Sequence, residues 1–380
     1  MTVLALVTDA YGGRGGVAAV NRDLCAALAE RGDHVRVVSR VSTDSTSPDD
    51  LPPGVGVRST GGGMRTFVQA AFAAADGVDA VFCGHLHLAP VAAAVALRAG
   101  VPWVLLVHGI EAWGPPHWPA TQRPLAMRLT LATARQAARV VAVSELTRGR
   151  FAARARLDPA RTTVVPNSVD ASQFGTGSPR ADLLERYGLA GRTILLTMAR
   201  LSATERYKGL DETIAALPAL TETHPDIAYL ICGDGDDRPR LESMAASLGV
   251  GDRVVFAGYV PEDEKADHLR LADAFVMPGR GEGFGIVYLE ALACGVPVVA
   301  SALDASREAV RDGALGVVVT PDDPVSVVEG IRDALARSKG VPDGLAYFSR
   351  ERFAERWRAV FDGLAPASRS ESSPSALSAR

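Results

Sequence analysis

Short runs of β-branched and other apolar residues alternate along the chain with longer Ala-, Leu- and Arg-rich segments. The first half holds five such runs: Val3–Thr8, His34–Ser39, Asp79–Cys83, Trp103–Val107 and Arg139–Ser144. Between the first two lies Gly16–Arg31, with Val17, Val20, Leu24 and Leu28 at helical spacing. This alternation predicts a parallel sheet covered by helices on both faces. The rhythm stops at Val164–Arg180, where VVPNSVDASQFGTGSPR is rich in Pro, Asn, Ser and Gly and reads as an inter-domain linker. It resumes with Thr193–Ala199, Ile227–Gly233, Arg253–Gly258, Asp273–Pro278, Pro297–Ser301 and Leu315–Thr320. A chain of 380 residues exceeds one ordinary core. Two doubly wound, Rossmann-like domains are therefore predicted, residues 1–166 and 167–348, facing a central cleft. Ser349–Gly363 places Phe353, Trp357, Val360 and Phe361 on one side and predicts an amphipathic helix. The small, polar residues 364–380 predict a disordered tail.

Composition narrows the class. With 47% hydrophobic and 22% charged residues the chain is globular, and a net charge of −4 gives no reason to expect nucleic acid. Cys25, Cys83, Cys232 and Cys294 are scattered in apolar stretches, as expected of free thiols in a reducing cytoplasm. The N-terminus lacks the basic region of a signal peptide, and no apolar run reaches about 18 residues, so neither export nor a membrane span is expected. Lysine occurs only at Lys208, Lys265 and Lys339, which draws attention to Lys208.

Four segments carry candidate chemistry. In YGGRGGVAAV, between the first strand and helix, glycines let a backbone approach a ligand and the helix start offers free N–H groups to phosphate. Gly13, Gly15 and Ala18 also satisfy a dinucleotide fingerprint, with Arg40 after the second strand suited to an NADP phosphate, so an NADP-dependent oxidoreductase is one reading. The second segment, ARLSATERYKGL, follows a strand and puts Arg200 and Lys208 on one loop, two cations that suit a diphosphate. In ICGDGDDRPRLE, Gly233 and Gly235 link strand to helix, and Asp234, Asp236 and Asp237 are expected to form turns and N-caps rather than a metal site. In MPGRGEGFGIVYLEALACG, a strand end, a glycine loop and a helix start follow one another. Amides at Phe284, Gly285 and Ile286 would face an anion, Glu282 would reach neutral hydroxyls beside it, and Glu290 would lie in the second helical turn on a buried side. A buried carboxylate needs strong partners, and a ribose diol would serve. His85 and His87 in GHLH would share a face if the strand continued, but no third metal ligand is apparent.

Taken together, EGFGIVYLE resembles the E-x7-E element of the retaining glycosyltransferases of family 4, which have the GT-B architecture. ARLSATERYKG is similar to that family's arginine–lysine loop, PNSVD (Pro166–Asp170) to its domain junction and GGVAAV (Gly15–Val20) to its N-terminal glycine turn. The resemblance runs over roughly residues 1–363, with the motifs in the family's order. It implies an N-terminal acceptor domain, a C-terminal donor domain and a closing helix, residues 349–363, that crosses back to the first. It implies a nucleotide-diphosphate sugar (UDP- or GDP-linked) as donor and a hydroxyl on a glycan, lipid-linked or small molecule as acceptor. Arg200 and Lys208 would hold the diphosphate, Glu282 the donor-sugar hydroxyls and Glu290 the ribose. Backbone at Tyr259 and Val260 would meet the base, Gly15 and Gly16 would approach the phosphates, and Gly233 would line the donor site. His108 in VHGIEAW would stand near sugar and acceptor. Transfer would retain configuration by front-face displacement, with no cofactor and no metal, since cations and amides meet the diphosphate charge. A non-catalytic sugar-nucleotide-binding protein of the same fold is the remaining reading. One departure is the long loop Leu201–Tyr207, beside the way into the donor site.

Residues 121–161 hold nine arginines against Glu145 and Asp158. Such a face would suit peripheral contact with an anionic inner membrane surface or a phosphorylated acceptor, or it would simply be solvated.

Overall fold

In a computed structural model, residues 1–11, 13, 15–41, 51–109, 112 and 124–364 are described. They form two parallel sheets. The first comprises β1 (Thr2–Val7), β2 (His34–Ser39), β3 (Val55–Ser59), β4 (Ala80–Cys83), β5 (Trp103–Val107), β6 (Arg139–Ala142) and β7 (Thr162–Val164), in the order β3-β2-β1-β4-β5-β6-β7. The second comprises β8 (Ile194–Met198), β9 (Ala228–Cys232), β10 (Val254–Gly258), β11 (Ala274–Val276), β12 (Val298–Ser301) and β13 (Val317–Val319), in the order β10-β9-β8-β11-β12-β13. Central strands are apolar on both faces because helices cover both: Val3–Val7 and Ala228–Cys232 are wholly buried.

In both sheets the strand order reverses once, between β1 and β4 and between β8 and β11. Loops that leave a sheet at such a point diverge and open a crevice beyond the strands' carboxyl ends. The loops after β1 and β4 carry Gly15–Gly16 and Gly84–His87; those after β8 and β11 carry Arg200 and Glu282. Strand order thus brings together segments far apart in sequence.

Two strands escape the sequence pattern. β3 has glycine and arginine at alternate positions of a sheet edge, and β7 is a three-residue edge strand at the start of the supposed linker. That linker is not a solvated tether. Val165, Asn167, Ser168, Val169 and Phe174 are buried, and Val169 forms a parallel bridge with Ser349, its N–H bonded to the Phe348 carbonyl. The two passages of the chain between sheets therefore lie side by side.

The helix Arg350–Asp362, capped by the Ser349 hydroxyl, packs on the helix Gly16–Glu30 of the first domain. Trp357 meets Phe82 of β4 edge to face at 5.7 Å, and Arg31 pairs with Asp362 at 2.7 Å. Leu364 packs on the core; residues 365–380 lie outside those described. Among the described residues, no helix is long and apolar enough to cross a membrane. Several arginines of 121–161 are bound internally: Arg135, Arg139 and Arg161 donate to main-chain carbonyls and Arg148 pairs with Glu145. Arg123 lies outside the described residues.

Candidate active site

A cleft of about 360 Å³ opens between the two sheets, in the size range of small-molecule sites. Gly15, Gly16, Arg200, Lys208, Gly233, Tyr259, Val260, Glu282, Gly285, Ile286 and Glu290 all line it. His108 and Phe284 line an adjoining recess of about 240 Å³ that shares Gly16, Arg200, Lys208 and Glu282 with the cleft. The ring of Phe284 is otherwise core, 5.7 Å from that of Phe348.

The loop after β8 is built tightly. Gly233 has φ of 141°, and a Cβ there would sit 1.8 Å from the carbonyl oxygen of Ala199, so only glycine lets the loop after β9 pass. Of the three aspartates beside it, Asp234 makes the expected turn by accepting the Gly235 N–H at 2.9 Å, whereas the other two do not act as N-caps. Asp236 accepts the Ala203 N–H at 2.8 Å, and Asp237, with no capping bond of its own, pairs with Arg206 and Arg240. They anchor the Leu201–Tyr207 loop. That loop ends in the turn Arg206–Lys208, which delivers Lys208 to the cleft.

Lys208 and Glu282, 74 positions apart, form an ion pair at 2.6 Å, each side chain 18% exposed. Burial alone would lower the ammonium's pKa; the Glu282 carboxylate outweighs it, so Lys208 is held protonated well above its ordinary range. Arg200 is unlike Lys208. Its side chain is 78% exposed and paired with Glu205, an exposed cation at the rim rather than a buried one at the floor.

Glu282 is held by its main chain. Its N–H donates to Asp304 Oδ2 at 2.9 Å and its carbonyl accepts from Ala305 N–H. Asp304 is wholly buried, and Ser306 donates to its other oxygen through both N–H and hydroxyl. Burial pushes the Asp304 carboxyl up to about 6, against these hydrogen bonds.

Glu290 lies on the helix Ile286–Ala293 and is 5% exposed. Its Oε1 accepts from Lys265 Nζ at 2.7 Å; its buried Oε2 has no partner. Burial raises the Glu290 carboxyl and Lys265 opposes that rise. For Lys265, burial works against the charge, and Glu290 with Glu262 more than offsets it. Lys265 was visible in the sequence as one of three lysines, but nothing there linked it to Glu290 on another helix. Arg22 also went unseen: it lines the cleft and ties the glycine turn by donating to the carbonyls of Ala10 and Gly13 at 2.8 and 3.0 Å.

His108 Nε2 lies 2.8 Å from the Gly84 carbonyl. The chain leaves β4 at Cys83 for a 3₁₀ turn, so His85 and His87 do not share a strand face; His85 Nδ1 caps that turn by accepting the His87 N–H. Among the described residues, no group of three or more His, Cys, Asp and Glu could hold a metal ion. Arg40 is not among the residues lining the cleft, whereas Gly16 faces the second domain, where a Cβ on it would lie 3.6 Å from Ile286 Cδ1.

Comparison with known proteins agrees with this geometry. Residues 14–173 match the family model described as Glycosyltransferase Family 4, and residues 184–354 match Glycosyl transferases group 1. A GDP-mannose-dependent alpha-(1-6)-phosphatidylinositol monomannoside mannosyltransferase of Mycolicibacterium smegmatis is 42% identical over 205 residues, 52% of this chain and 53% of that protein. A D-inositol 3-phosphate glycosyltransferase of Geodermatophilus obscurus is 38% identical over 217 residues, 55% of this chain and 47% of that one. The chain thus spans about half the length of the curated relatives it matches. Among solved structures, Anabaena HepE in complex with UDP superposes with a TM-score of 0.76 at 21% identity, covering 96% of this chain and all of that one. Sucrose-phosphate synthase from Thermosynechococcus elongatus gives 0.75 at 24% identity, covering 97% of this chain and 100% of its own. Two facing parallel sheets, strand reversals that open on one cleft, and a family match on each side of the junction lead to one assignment: the chain belongs to glycosyltransferase family 4, with the GT-B architecture.

Proposed function

We propose that the protein is a retaining glycosyltransferase that moves a hexose from a nucleotide-diphosphate sugar to a hydroxyl acceptor. The observation that carries the reading is the carboxylate pair in one cleft: Glu290, buried with one oxygen unpartnered, and Glu282, ion-paired to Lys208. An unmet buried acceptor is costly, and a ribose diol would supply its donors. On donor binding Lys208 exchanges Glu282 for the diphosphate, and Glu282 turns to the sugar hydroxyls. Arg200 covers the diphosphate from the rim. Glu290 grips the ribose, Tyr259 and Val260 flank the base, and Gly15 and Gly16 close over the phosphates from the other sheet. The N–H groups at Phe284, Gly285 and Ile286 open a helix and favour negative charge. These cations and amides meet the diphosphate charge, so the reaction is read as needing no metal.

Chemistry follows from position. As the bond from sugar to diphosphate lengthens, Lys208 and the amides stabilise the charge on the leaving oxygens. The acceptor hydroxyl approaches from the same face, in the recess beside His108, and gives its proton to the departing diphosphate. The protein contributes alignment and charge stabilisation rather than a nucleophile. The similar mannosyltransferase named above uses GDP-mannose and HepE was crystallised with UDP, so either base is admitted here. Four buried, free cysteines suit a cytoplasmic enzyme. A thermal-shift panel of UDP-, GDP- and NADP-linked ligands, followed by turnover with the best donor, tests the reading. Stabilisation by one sugar nucleotide is expected, with turnover falling about 10²–10³-fold in Lys208→Ala. A shift with NADP alone, or near-normal turnover in Lys208→Ala, would overturn it.

A further inference from the structure

The glycine loop that carries Glu282 is held from both domains. On its own side, Asp304 and Ala305 fix the main chain of Glu282. The next residue, Gly283, is held from the other side. Its carbonyl accepts the hydroxyls of Ser144 at 2.8 Å and Thr147 at 3.2 Å. Both side chains belong to the first domain and both are buried. Two hydroxyls therefore fill the two acceptor positions of one carbonyl. The backbones touch here as well. A Cβ on Gly283 would lie 2.1 Å from the His108 carbonyl oxygen, and one on Gly109 would lie 2.4 Å from Gly283 Cα.

A third contact fixes the same socket. Ser144 caps the helix Glu145–Ala155 by accepting the Thr147 N–H at 3.1 Å. The free N–H groups of Glu145 and Leu146 at that helix start donate to Glu308 of the second domain, at 2.7 and 2.9 Å. A carboxylate at a helix N-terminus meets both unsatisfied donors and the positive end of the helix dipole. One end of one helix thus donates to the second domain through two hydroxyls and two amides.

On the reading of the site as a glycosyltransferase centre, we infer that Ser144 and Thr147 are positioning residues that register the first domain, with His108, on the loop bearing Glu282. The groups assigned to the diphosphate, ribose and base lie mostly in the second domain. The acceptor side, beside His108, lies in the first. Transfer requires the two to meet within bonding distance, and a small displacement is costly to rate. The Gly283 carbonyl is the point where that distance is set. When the sheets part, water satisfies the carbonyl; when they close, only these hydroxyls do. Removing them penalises the closed arrangement, while the nucleotide keeps its second-domain partners and loses only the approach of Gly15 and Gly16.

The test uses the full chain with Thr147→Val, Ser144→Ala and the double variant, and with Ser144→Thr and Thr147→Ser as conservative partners. Ser144→Ala also loses the helix cap, whereas Thr147→Val keeps it, so the valine variant reports on the carbonyl contact without that loss. Turnover, the affinity for nucleoside diphosphate by calorimetry, and the radius of gyration by small-angle X-ray scattering are measured. The double variant is expected to lose about 10- to 100-fold in kcat, the range for a buried carbonyl left without its partners. Nucleoside diphosphate affinity is expected to stay within about threefold, the radius of gyration to rise, and the conservative variants to hold wild-type turnover. Unchanged kcat in a folded double variant would overturn the inference. So would parallel loss of kcat and nucleotide affinity. If wild-type protein transfers no sugar, the glycosyltransferase reading fails, and the scattering alone decides: an unchanged radius of gyration in the double variant then overturns the registration.

Discussion

Replacing Lys265 with methionine removes the cation from Glu290 and keeps most of the side-chain volume. The Nζ–Oε1 separation is 2.7 Å in a site where the two side chains are 18% and 7% exposed. Coulomb attraction at that distance amounts to about 6 kcal/mol with an effective dielectric constant of 20, before desolvation is subtracted. Breaking such a pair on one side costs about 3–5 kcal/mol, because the remaining charge stays buried and alone. Glu262, 3.4 Å from the same ammonium, loses its cation too and then repels Glu290. Other ionisable groups on the neighbouring helix Lys265–Leu271 and the turn before it are Asp263, Glu264, Asp267, His268 and Arg270. The pH dependence follows in sign. Burial already raises the Glu290 carboxyl, and loss of Lys265 raises it further. A carboxyl raised on folding costs stability above its unfolded value, about 4.5, and the cost grows by about 1.4 kcal/mol per pH unit until the folded value is passed. Wild type and Lys265→Met should therefore be close in stability near pH 4.5 and diverge to about 3–5 kcal/mol by pH 8. Urea unfolding at several pH values, for both single variants and for Lys265→Met/Glu290→Gln, measures this. The double variant should recover most of the loss. A pH-independent deficit in Lys265→Met, or strictly additive losses in the double variant, would refute the coupling.

Two further outcomes are expected. Burial holds the Asp304 carboxyl at about 6, so wild-type stability should fall by roughly 3 kcal/mol as pH rises from about 3.8 to 6 through this one group; Asp304→Asn, neutral throughout, should lack that slope when denaturant midpoints at pH 4 and pH 7 are compared. Gly233→Ala places a methyl group against the Ala199 carbonyl at a φ of 141°. It should cost about 1–3 kcal/mol in unfolding experiments and weaken nucleotide affinity by calorimetry, because the loop bearing Arg200 must move.

The β-α rhythm was legible because strands buried on both faces are written as continuous apolar runs; all six strands of the second sheet fall inside the runs the pattern gives, their ends within two residues. β3 and β7 were not, since edge strands need less apolar surface and β7 is three residues long. The glycine turn, the arginine–lysine loop and the two glutamates could be named from motif spacing. Their partners could not. Lys265 meets Glu290 and Asp304 meets the Glu282 main chain only once the second domain has folded, and Ser144 meets Gly283 only after the two sheets have closed on each other. Composition marked Val164–Arg180 as the crossing between sheets but not the burial of its first part, where polar side chains find fixed partners such as Ser168 with Asp23.

The last helix makes the first domain discontinuous in sequence. A fragment ending near residue 166 would bare the apolar strip now sealed by Phe353, Trp357 and Phe361, and would be expected to aggregate on expression. Chimeras that exchange second domains between members of this family should accordingly cut twice, once on each of the paired crossings at Val169 and Ser349, so that each half carries away its own sealing surface.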